Sequence, residues 1–317
     1  MAIDRVKAIE YAKRFWNRPC DDGVFWLRDQ AVNVEQKRRE LRASARDGWE
    51  ALFVADGNGG EKAVFQRTVG GLPETKLIQP WEGLADCAHF LSKCLQAGGI
   101  PISELRVPTL VKKLQERSDT KTLAEKVPRS QAQAVVNTGI FKKGDMIGYF
   151  NVDPKGDYRG AQNYSHCTMY AGKPNPQDVG RVTCHTIARF PGLSFVADEW
   201  FLKTGYTYTL IHFSNDDPPM ANAASLAGWW KVEYGNTTKF YYIFKDGRAR
   251  YTLRAPKSNQ ELHVAEGSAY WFQEQQKITF IWRKTGTVEV EVWTKGGNAR
   301  EFSILVNNAR GKSTKLF

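Results

Sequence analysis

The sequence predicts an α+β domain followed by a small antiparallel β-barrel or sandwich. Helical spacing dominates the first part of the chain, strand-like runs begin after Lys143, and residues 228–317 are almost entirely strand and turn. The chain has 317 residues, of which 42% are hydrophobic, so it exceeds one average domain and can fill two cores. We therefore expect two domains.

Three segments of the first part have the spacing of an α-helix. The first covers residues 4–16, with Asp4 as its capping residue. The second covers residues 87–97 and ends at the pair Gly98-Gly99, and the third covers residues 109–117. Residues 31–80 show no clear period. In the first helix the apolar side chains recur at every third position: Val6, Ile9, Ala12 and Phe15.

Strand-like runs fill the rest of the chain. Those of the first part are residues 146–150, 167–170, 182–187 and 206–213. A loop by composition at residues 214–219 then leads to seven further short runs with tight turns such as Asp246-Gly247. We therefore place the domains at residues 1–215 and 225–317, and expect the second to be an antiparallel meander closed as a barrel or sandwich.

The charge balance bears on the class of partner. Lys and Arg number 45 against 34 Asp and Glu, a net charge of +11. Such a balance favours anionic partners. From residue 221 onward the chain has 15 Lys and Arg against 8 Asp and Glu, so the C-terminal part carries +7 of the net charge. No run of five basic residues occurs, so nucleic acid is not expected as a partner. A targeting or binding role for the C-terminal domain stays open.

Two features of the chain concern membranes and export. No apolar run reaches the ~18 residues that a membrane-spanning helix needs, so no membrane span is expected. The N-terminal stretch MAIDRVKAIEYAKRFWNR is charged and amphipathic, without the apolar core of a secretory signal. We expect a protein made in the cytoplasm without a Sec signal, for which an extracellular target would require a specialised export system.

Cys87 is the leading candidate for a nucleophile. The chain has five cysteines, an odd number, and no CxxC pair, which favours free thiols over a disulfide scaffold. Cys87 begins the predicted helix at residues 87–97, where the helix dipole favours a thiolate and the free N–H groups can bind an oxyanion. Asp86 suits the N-cap position. A structural cysteine at a helix start is the alternative.

Two histidines on consecutive predicted strands can complete such a site. A nucleophilic cysteine needs a base within hydrogen-bond reach, and the base needs an orienting partner. His166 is the candidate base and His185 the candidate orienting residue, provided that neighbouring strands bring them together; the alternative is that both are buried structural residues. His89 lies two residues after Cys87, turned about 200° away on a helix, so we predict a surface or packing role for it.

Metal and cofactor sites are not predicted. The pairs His166-Cys167 and Cys184-His185 contain zinc-binding residue types, but adjacent residues on a strand point to opposite faces and the CxxC spacing is missing. The sequence contains no phosphate-binding loop, dinucleotide fingerprint or HExxH motif. We therefore expect no cofactor and no metal.

A set of short words follows one order along roughly residues 1–214: Asp-Cys-x-x-Phe-x-Ser, Cys-Leu-x-Ala-Gly-Gly, Gly-Asp, Ser-His and His-Thr. The residues are Asp86, Cys87, Phe90, Ser92, Cys94, Leu95, Ala97, Gly98, Gly99, Gly144, Asp145, Ser165, His166, His185 and Thr186. In this order they resemble the bacterial amidase-domain family of the NlpC-type, papain-like cysteine peptidases and amidases. The chain departs from that pattern at Ala88-His89, where relatives more often carry Thr-Asn or Ser-Gly.

The resemblance implies a papain-like fold with Cys87 as nucleophile, His166 as base and His185 as third member. An upstream glutamine often supports the oxyanion hole in papain-like enzymes, and Gln79 is the candidate here, the alternative being a solvated loop residue. Asp86 would support the same region.

The implied activity is a cysteine amidase or endopeptidase that cuts amide bonds in peptidoglycan stem peptides. Without a Sec signal, such an enzyme would be a secreted antibacterial effector, a toxin with an immunity protein or a secretion apparatus as partner. The alternative is a cysteine protein deamidase, protease or acyltransferase that acts on a cytosolic protein. A non-catalytic binding module is a third reading, against which the presence of Cys87, His166 and His185 argues.

Overall fold

The computed structural model describes most of the chain. The described residues are 2–16, 19–27, 30–55, 61–78, 86–152, 162–173, 175, 180–185, 205–217, 226–252, 265–272, 277–295, 301–306 and 309–316. The α-helices are α1 (Arg5–Phe15), α2 (Val34–Ser44), α3 (Cys87–Ala97), α4 (Val107–Glu116) and α5 (Arg129–Asn137). None of these described helices is long and apolar enough to pass through a bilayer.

The strands are more numerous than the helices. The first ten are β1 (Val24–Leu27), β2 (Gln30–Asn33), β3 (Glu50–Ala55), β4 (Glu61–Val69), β5 (Leu72–Leu77), β6 (Thr120–Val127), β7 (Met146–Asn151), β8 (Tyr164–Gly172), β9 (Arg181–Thr183) and β10 (Tyr206–Phe213). The last eight are β11 (Gly228–Tyr234), β12 (Thr237–Ile243), β13 (Arg248–Thr252), β14 (Ala265–Phe272), β15 (Lys277–Trp282), β16 (Thr287–Lys295), β17 (Glu301–Val306) and β18 (Ala309–Lys315).

The predicted fold class, an α+β papain-like domain, is wrong. The described residues form eighteen strands and five helices, and none of these helices is longer than 11 residues. Much of the unforeseen β-structure lies in residues 31–80, where β3, β4 and β5 form an antiparallel sheet. All six residues of β5 are exposed, so no buried face imposes the alternation that would reveal this strand in the sequence.

The chain divides into two compact units, each made of two chain segments. The first unit consists of residues 1–120 and 142–206, and the second of residues 121–141 and 207–317. The sequence places the boundary between residues 215 and 225, and most of that loop, residues 218–225, lies outside the described residues.

In the first unit, α1 has the predicted extent but a different buried face. Asp4 caps the helix by accepting a hydrogen bond from the backbone N–H of Lys7 at 3.0 Å. Val6 is 72% exposed, although its spacing placed it on the apolar face. The buried residues are Ala8, Ile9, Ala12 and Phe15.

Gly98 allows α1 and α3 to approach closely. Its carbonyl oxygen accepts a hydrogen bond from the N–H of Asp4 at 2.8 Å. A Cβ atom at position 98 would lie 3.0 Å from the carbonyl oxygen of Asp4 and 3.1 Å from the Cβ of Ala8. Gly99 then takes a φ of +83°, which glycine adopts readily and which ends α3 as the sequence predicts. The C-terminal end of α3 is therefore held against the N-terminal part of α1.

Strands β7, β8 and β9 of the first unit pair in this order. The register sets Tyr149 opposite His166 and Gly148 opposite Cys167. Next to β7, the buried carboxylate of Asp145 accepts a hydrogen bond from Arg5 at 2.6 Å and another from the N–H of Lys142 at 2.7 Å. The Gly-Asp word of the sequence thus joins the sheet to α1.

The second unit contains a closed barrel. Strands β11 to β18 follow one another around it, and β18 pairs with β11 to close it. The sequence indicates seven strands and misses β18, because the word ARGKSTK has no apolar alternation. The described core residues are Leu226, Trp230, Val232, Tyr241, Ile243, Ala249, Ala269, Ile278, Phe280 and Trp282.

Candidate active site

Cys87 is the first residue of α3, as the sequence predicts. Its neighbour Asp86 lies at the N-cap position, but the carboxylate of Asp86 makes no capping hydrogen bond to the helix. Cys87 is buried, with 8% of its surface exposed. The first N–H groups of a helix have no partner within the helix. Those at the start of α3 can therefore donate hydrogen bonds to a group bound beside Cys87.

Strand β8 carries the two residues that lower the pKa of Cys87, His166 and Cys167. The pKa of Cys87 lies well below its ordinary value of 9.0. A hydrogen bond from the thiol of Cys167 is the main cause; burial opposes it, and the charge of His166 lowers the pKa further. The predicted nucleophile and the predicted base thus lie on two elements that pack together, α3 and β8.

His166 is enclosed at this position. It is 1% exposed, and the ring of Tyr149 packs against it with the ring centroids 5.1 Å apart. Tyr149 is in turn buried, and its hydroxyl is 3.3 Å from that of Thr168. The ring of Tyr149 thus restricts the positions that the imidazole of the predicted base can take.

His185 makes a different set of contacts. Among the described residues, its Nδ1 atom lies 2.6 Å from Oδ1 of Asp86 and its Nε2 atom 2.8 Å from the carbonyl oxygen of Phe15. Its ring also stacks on Phe90 at a centroid distance of 4.1 Å. His185 is therefore connected to the site through Asp86, the residue before the nucleophile, and these contacts fix the start of α3.

His89 is a member of the same network, which the sequence analysis missed. Its Nδ1 atom lies 2.8 Å from Oδ2 of Asp86, and its Nε2 atom lies 2.9 Å from Oδ2 of Asp22. Burial disfavours the charged ring, but the hydrogen bonds and charges of these two carboxylates outweigh burial and raise the pKa of His89 above its usual 6.5. The three-residue spacing from Asp86 on one helix was the available signal.

The carboxylate of Asp86 joins the two histidines. It is 4% exposed, and each of its oxygens bonds to one ring. Burial alone would raise the pKa of Asp86, but the charges and hydrogen bonds of His185 and His89 outweigh burial and lower the pKa below 3.8. The ionised carboxylate thus holds His185 to the first turn of α3.

One group of described side chains has the residue types of a metal site. A sulfur of Cys20, a carboxylate oxygen of Asp86 and a ring nitrogen of His89 lie within 4.8 Å of one another. Both oxygens of Asp86 already bond to imidazoles, and burial followed by the charge of Asp86 raises the pKa of Cys20, which keeps this thiol protonated. The Nζ atom of Lys93 is 3.6 Å from Asp22, which adds a positive charge. These properties favour a hydrogen-bonded network over a bound cation.

Two candidate residues lie outside the described part of the chain. They are Gln79, the candidate for oxyanion support, and Thr186, which belongs to the His-Thr word. Within the described part of the chain, the donors next to Cys87 that can face an oxyanion are the backbone N–H groups of the first turn of α3.

The chain was also compared with known proteins. No family model, curated protein or solved structure matches it. The function is therefore argued from the chemistry of the site.

Proposed function

We propose that the chain is a cysteine-dependent amide-bond hydrolase that acts on the stem peptides of peptidoglycan. The single observation that supports this proposal is the position of the buried Cys87 at the start of α3, where Cys167 and the charge of His166 lower the pKa of its thiol. A thiolate paired with an imidazolium is the ground state from which cysteine hydrolases attack a carbonyl carbon.

The reaction proceeds through an acyl-enzyme. The thiolate of Cys87 attacks the carbonyl carbon of the amide, and the resulting oxyanion accepts hydrogen bonds from the N–H groups at the start of α3. His166 donates its proton to the leaving amine, which departs as the thioester forms. His166 then removes a proton from water, which attacks the thioester; the Cys87 thiolate leaves, the carboxylate product is released, and the thiolate–imidazolium pair is restored.

Two other features support the choice of substrate. The short words around Asp86, Cys87 and His166 resemble those of bacterial amidases, and the net charge of +11 suits an anionic wall. The same proposal includes an antibacterial effector that a specialised export system delivers and that an immunity protein restrains in the producing cell.

The experiment is the digestion of purified sacculi, with the products resolved by mass. We expect the wild-type protein to release peptides with one new amine and one new carboxyl end, and the mass of each fragment identifies the bond. Cys87→Ala should lower the rate on the order of 10⁴-fold or more, since the proposed mechanism uses no other nucleophile, and His166→Ala should cost nearly as much because the two act as a unit.

Cys94→Ala is the matched control, because Cys94 lies on the same helix, is fully buried and has a raised pKa caused by burial. Its activity should stay near that of the wild type. If sacculi stay intact while a protein substrate loses side-chain amides, the activity is that of a protein deamidase and the proposed substrate is wrong. A Cys87→Ala variant that digests sacculi at the wild-type rate would refute the cysteine mechanism.

A further inference from the structure

Strand β5 lies at the edge of the sheet that β3, β4 and β5 form in the first unit. Among the described strands it pairs with β4 alone, and all six of its residues are exposed. Two of its side chains are large and apolar: Leu72 is 73% exposed and Leu77 is 50% exposed. An exposed edge of this kind presents backbone N–H and C=O groups with which another strand can pair.

The hairpin determines which backbone groups of β5 face the free edge. Gly70 and Gly71 join β4 to β5 and have φ values of +58° and +82°, as a two-residue type I′ turn requires. After the strand, the N–H of Ile78 donates a hydrogen bond to the carbonyl oxygen of Ala63 at 3.0 Å. Because the direction of hydrogen bonding alternates along a strand, every second residue of β5 directs its backbone groups away from β4. These residues are Pro73, Thr75 and Leu77.

Two side chains of β5 carry opposite charges two positions apart. Glu74 accepts a hydrogen bond from Nε of Arg67 on β4 at 2.6 Å, and its side chain remains 49% exposed. Lys76 is exposed and makes no ion pair within the described part of the chain. A partner strand that offers an acid opposite Lys76 and a base opposite Glu74 would complement this edge.

We propose that two copies of this chain associate through their β5 strands, which run antiparallel with Thr75 of one copy opposite Thr75 of the other. The three strands of each copy then form one sheet of six strands with a twofold axis at Thr75. The N–H of each Thr75 donates to the carbonyl oxygen of the other, and the N–H of each Leu77 donates to the carbonyl oxygen of Pro73 in the second copy. Because Pro73 has no N–H, this register gives every N–H group of the free edge an acceptor.

The same register places complementary side chains opposite each other. Glu74 of each copy lies opposite Lys76 of the other copy, which gives two attractive contacts by symmetry. Leu72 lies opposite Ile78 of the second copy, so an exposed apolar side chain gains an apolar neighbour. The edge of β5 therefore complements itself in both charge and hydropathy.

Charge also disfavours the neighbouring registers. The two strands can slide only in steps that keep their outward-facing backbone groups opposite each other. One step in one direction places Glu74 opposite Glu74, and one step in the other direction places Lys76 opposite Lys76. Like charges directly opposite each other destabilise a strand pair, so the register centred on Thr75 is the favoured one.

Sedimentation of the full-length protein over a range of concentrations tests the inference. One short strand per copy makes a small interface, so we expect a weak dimer whose fraction rises with concentration. Lys76→Glu and Glu74→Lys should each weaken association about tenfold or more, because two attractive contacts become repulsive. A mixture of these two variants should restore the dimer, since each Glu then lies opposite a Lys. Lys112→Glu makes the same change of charge on α4 and should dimerise as the wild type does.

Three results would overturn the inference. They are a wild type that stays monomeric up to ~0.5 mM, a Lys76→Glu variant that dimerises as strongly as the wild type, and two folded variants that do not associate when mixed. In the first case, Pro73 and Lys76 protect the edge against pairing. If Glu74→Lys fails to fold because it loses Arg67, the wild type and Lys76→Glu decide the matter. No substrate is present, so the result is independent of the sacculus assay.

Discussion

The surroundings of Cys87 shift its pKa in the direction opposite to that of Cys20, Cys94 and Cys167. Burial raises the pKa of those three thiols, whereas the hydrogen bond from Cys167 and the charge of His166 lower that of Cys87. We therefore expect iodoacetamide at pH 6 to modify Cys87 first. Peptide mapping during the time course measures this order, and earlier modification of Cys20 or Cys94 would contradict the assignment.

Stability should depend on pH through His89. Its pKa in the folded protein is raised above 6.5, so its contribution is fully present below about pH 6.5 and is lost as the pH rises through the folded-state value. The pKa of Asp86 is lowered below 3.8, so the carboxylate contributes above about pH 3.8 and its contribution is lost as the pH falls through its lowered value. The contact between the two is therefore strongest between these limits.

Thermal unfolding between pH 6 and 9 measures this contribution. The melting temperature of the wild type should fall across the range, and His89→Gln should flatten the fall because glutamine cannot carry the charge. Lys112→Gln, a change at a largely exposed position of α4, is the control and should keep the wild-type slope. Equal slopes for His89→Gln and the wild type would show that His89 is not charged in the folded protein.

The local pattern of the sequence places Cys87 at the start of a helix and His166 on a strand, and the structure has both residues there. Their catalytic roles stay predictions. The hydrogen bond between His185 and Asp86 joins side chains 99 positions apart, so no local pattern could indicate it. The helical period turns His89 away from Cys87, but the contact of His89 with Asp22 joins residues 67 positions apart and leaves no local pattern.

Elements with a buried face or a glycine stop were predictable, and exposed ones were not. The limits of α1 and α3 follow from an N-terminal aspartate and from Gly98-Gly99. The strands β5 and β18 lack a row of apolar side chains and obtain their place by backbone pairing with β4 and with β11 and β17. Backbone pairing with another strand does not require a periodic pattern of apolar side chains in the paired segment.

Gly98 offers a test of the contact between α1 and α3. Its φ of −78° is accessible to any residue, so Gly98→Ala changes only the space between the helices. The added Cβ would lie 3.0 Å from the carbonyl oxygen of Asp4, and overpacking of this kind costs about 1–3 kcal/mol of unfolding free energy. Chemical denaturation of the variant measures the loss.

A double-mutant cycle identifies the contact. Ala8→Gly removes the methyl group that would lie 3.1 Å from the new Cβ. Combined with Gly98→Ala, it should give a smaller loss than the sum of the two single changes, because part of the overlap has been removed. Strict additivity would mean that the two positions do not meet.

For the whole molecule, the excess of positive charge in the C-terminal part is the feature with a measurable outcome. In the barrel, Arg248 and Arg250 on β13 lie 4.7 and 5.3 Å from the ring of Phe244. We expect the full-length protein to bind an anionic wall polymer such as teichoic acid, with an affinity that falls as salt rises from 0.05 to about 0.5 M, because salt screens exposed charges. Titration at several salt concentrations measures this dependence.

Arg248→Glu combined with Arg250→Glu should weaken the binding at low salt. Lys112→Glu is the control, since it removes one positive charge and adds a negative one at an exposed position outside the barrel. If the protein does not bind the polymer, or binds it with an affinity that does not depend on salt, the net charge of +7 in the C-terminal part contributes to solubility alone.

The closure of the barrel has a consequence for biosynthesis. β18 is the last of the eight strands to leave the ribosome, and it supplies the partner for both β11 and β17, with the N–H of Leu316 bonded to the carbonyl oxygen of Trp229 at 2.8 Å. Until that strand emerges, the nascent chain exposes two unpaired edges, which are templates for association with other chains. Premature termination before residue 309 should therefore yield aggregates, and a chaperone that shields strand edges during translation would be needed most in this final stretch.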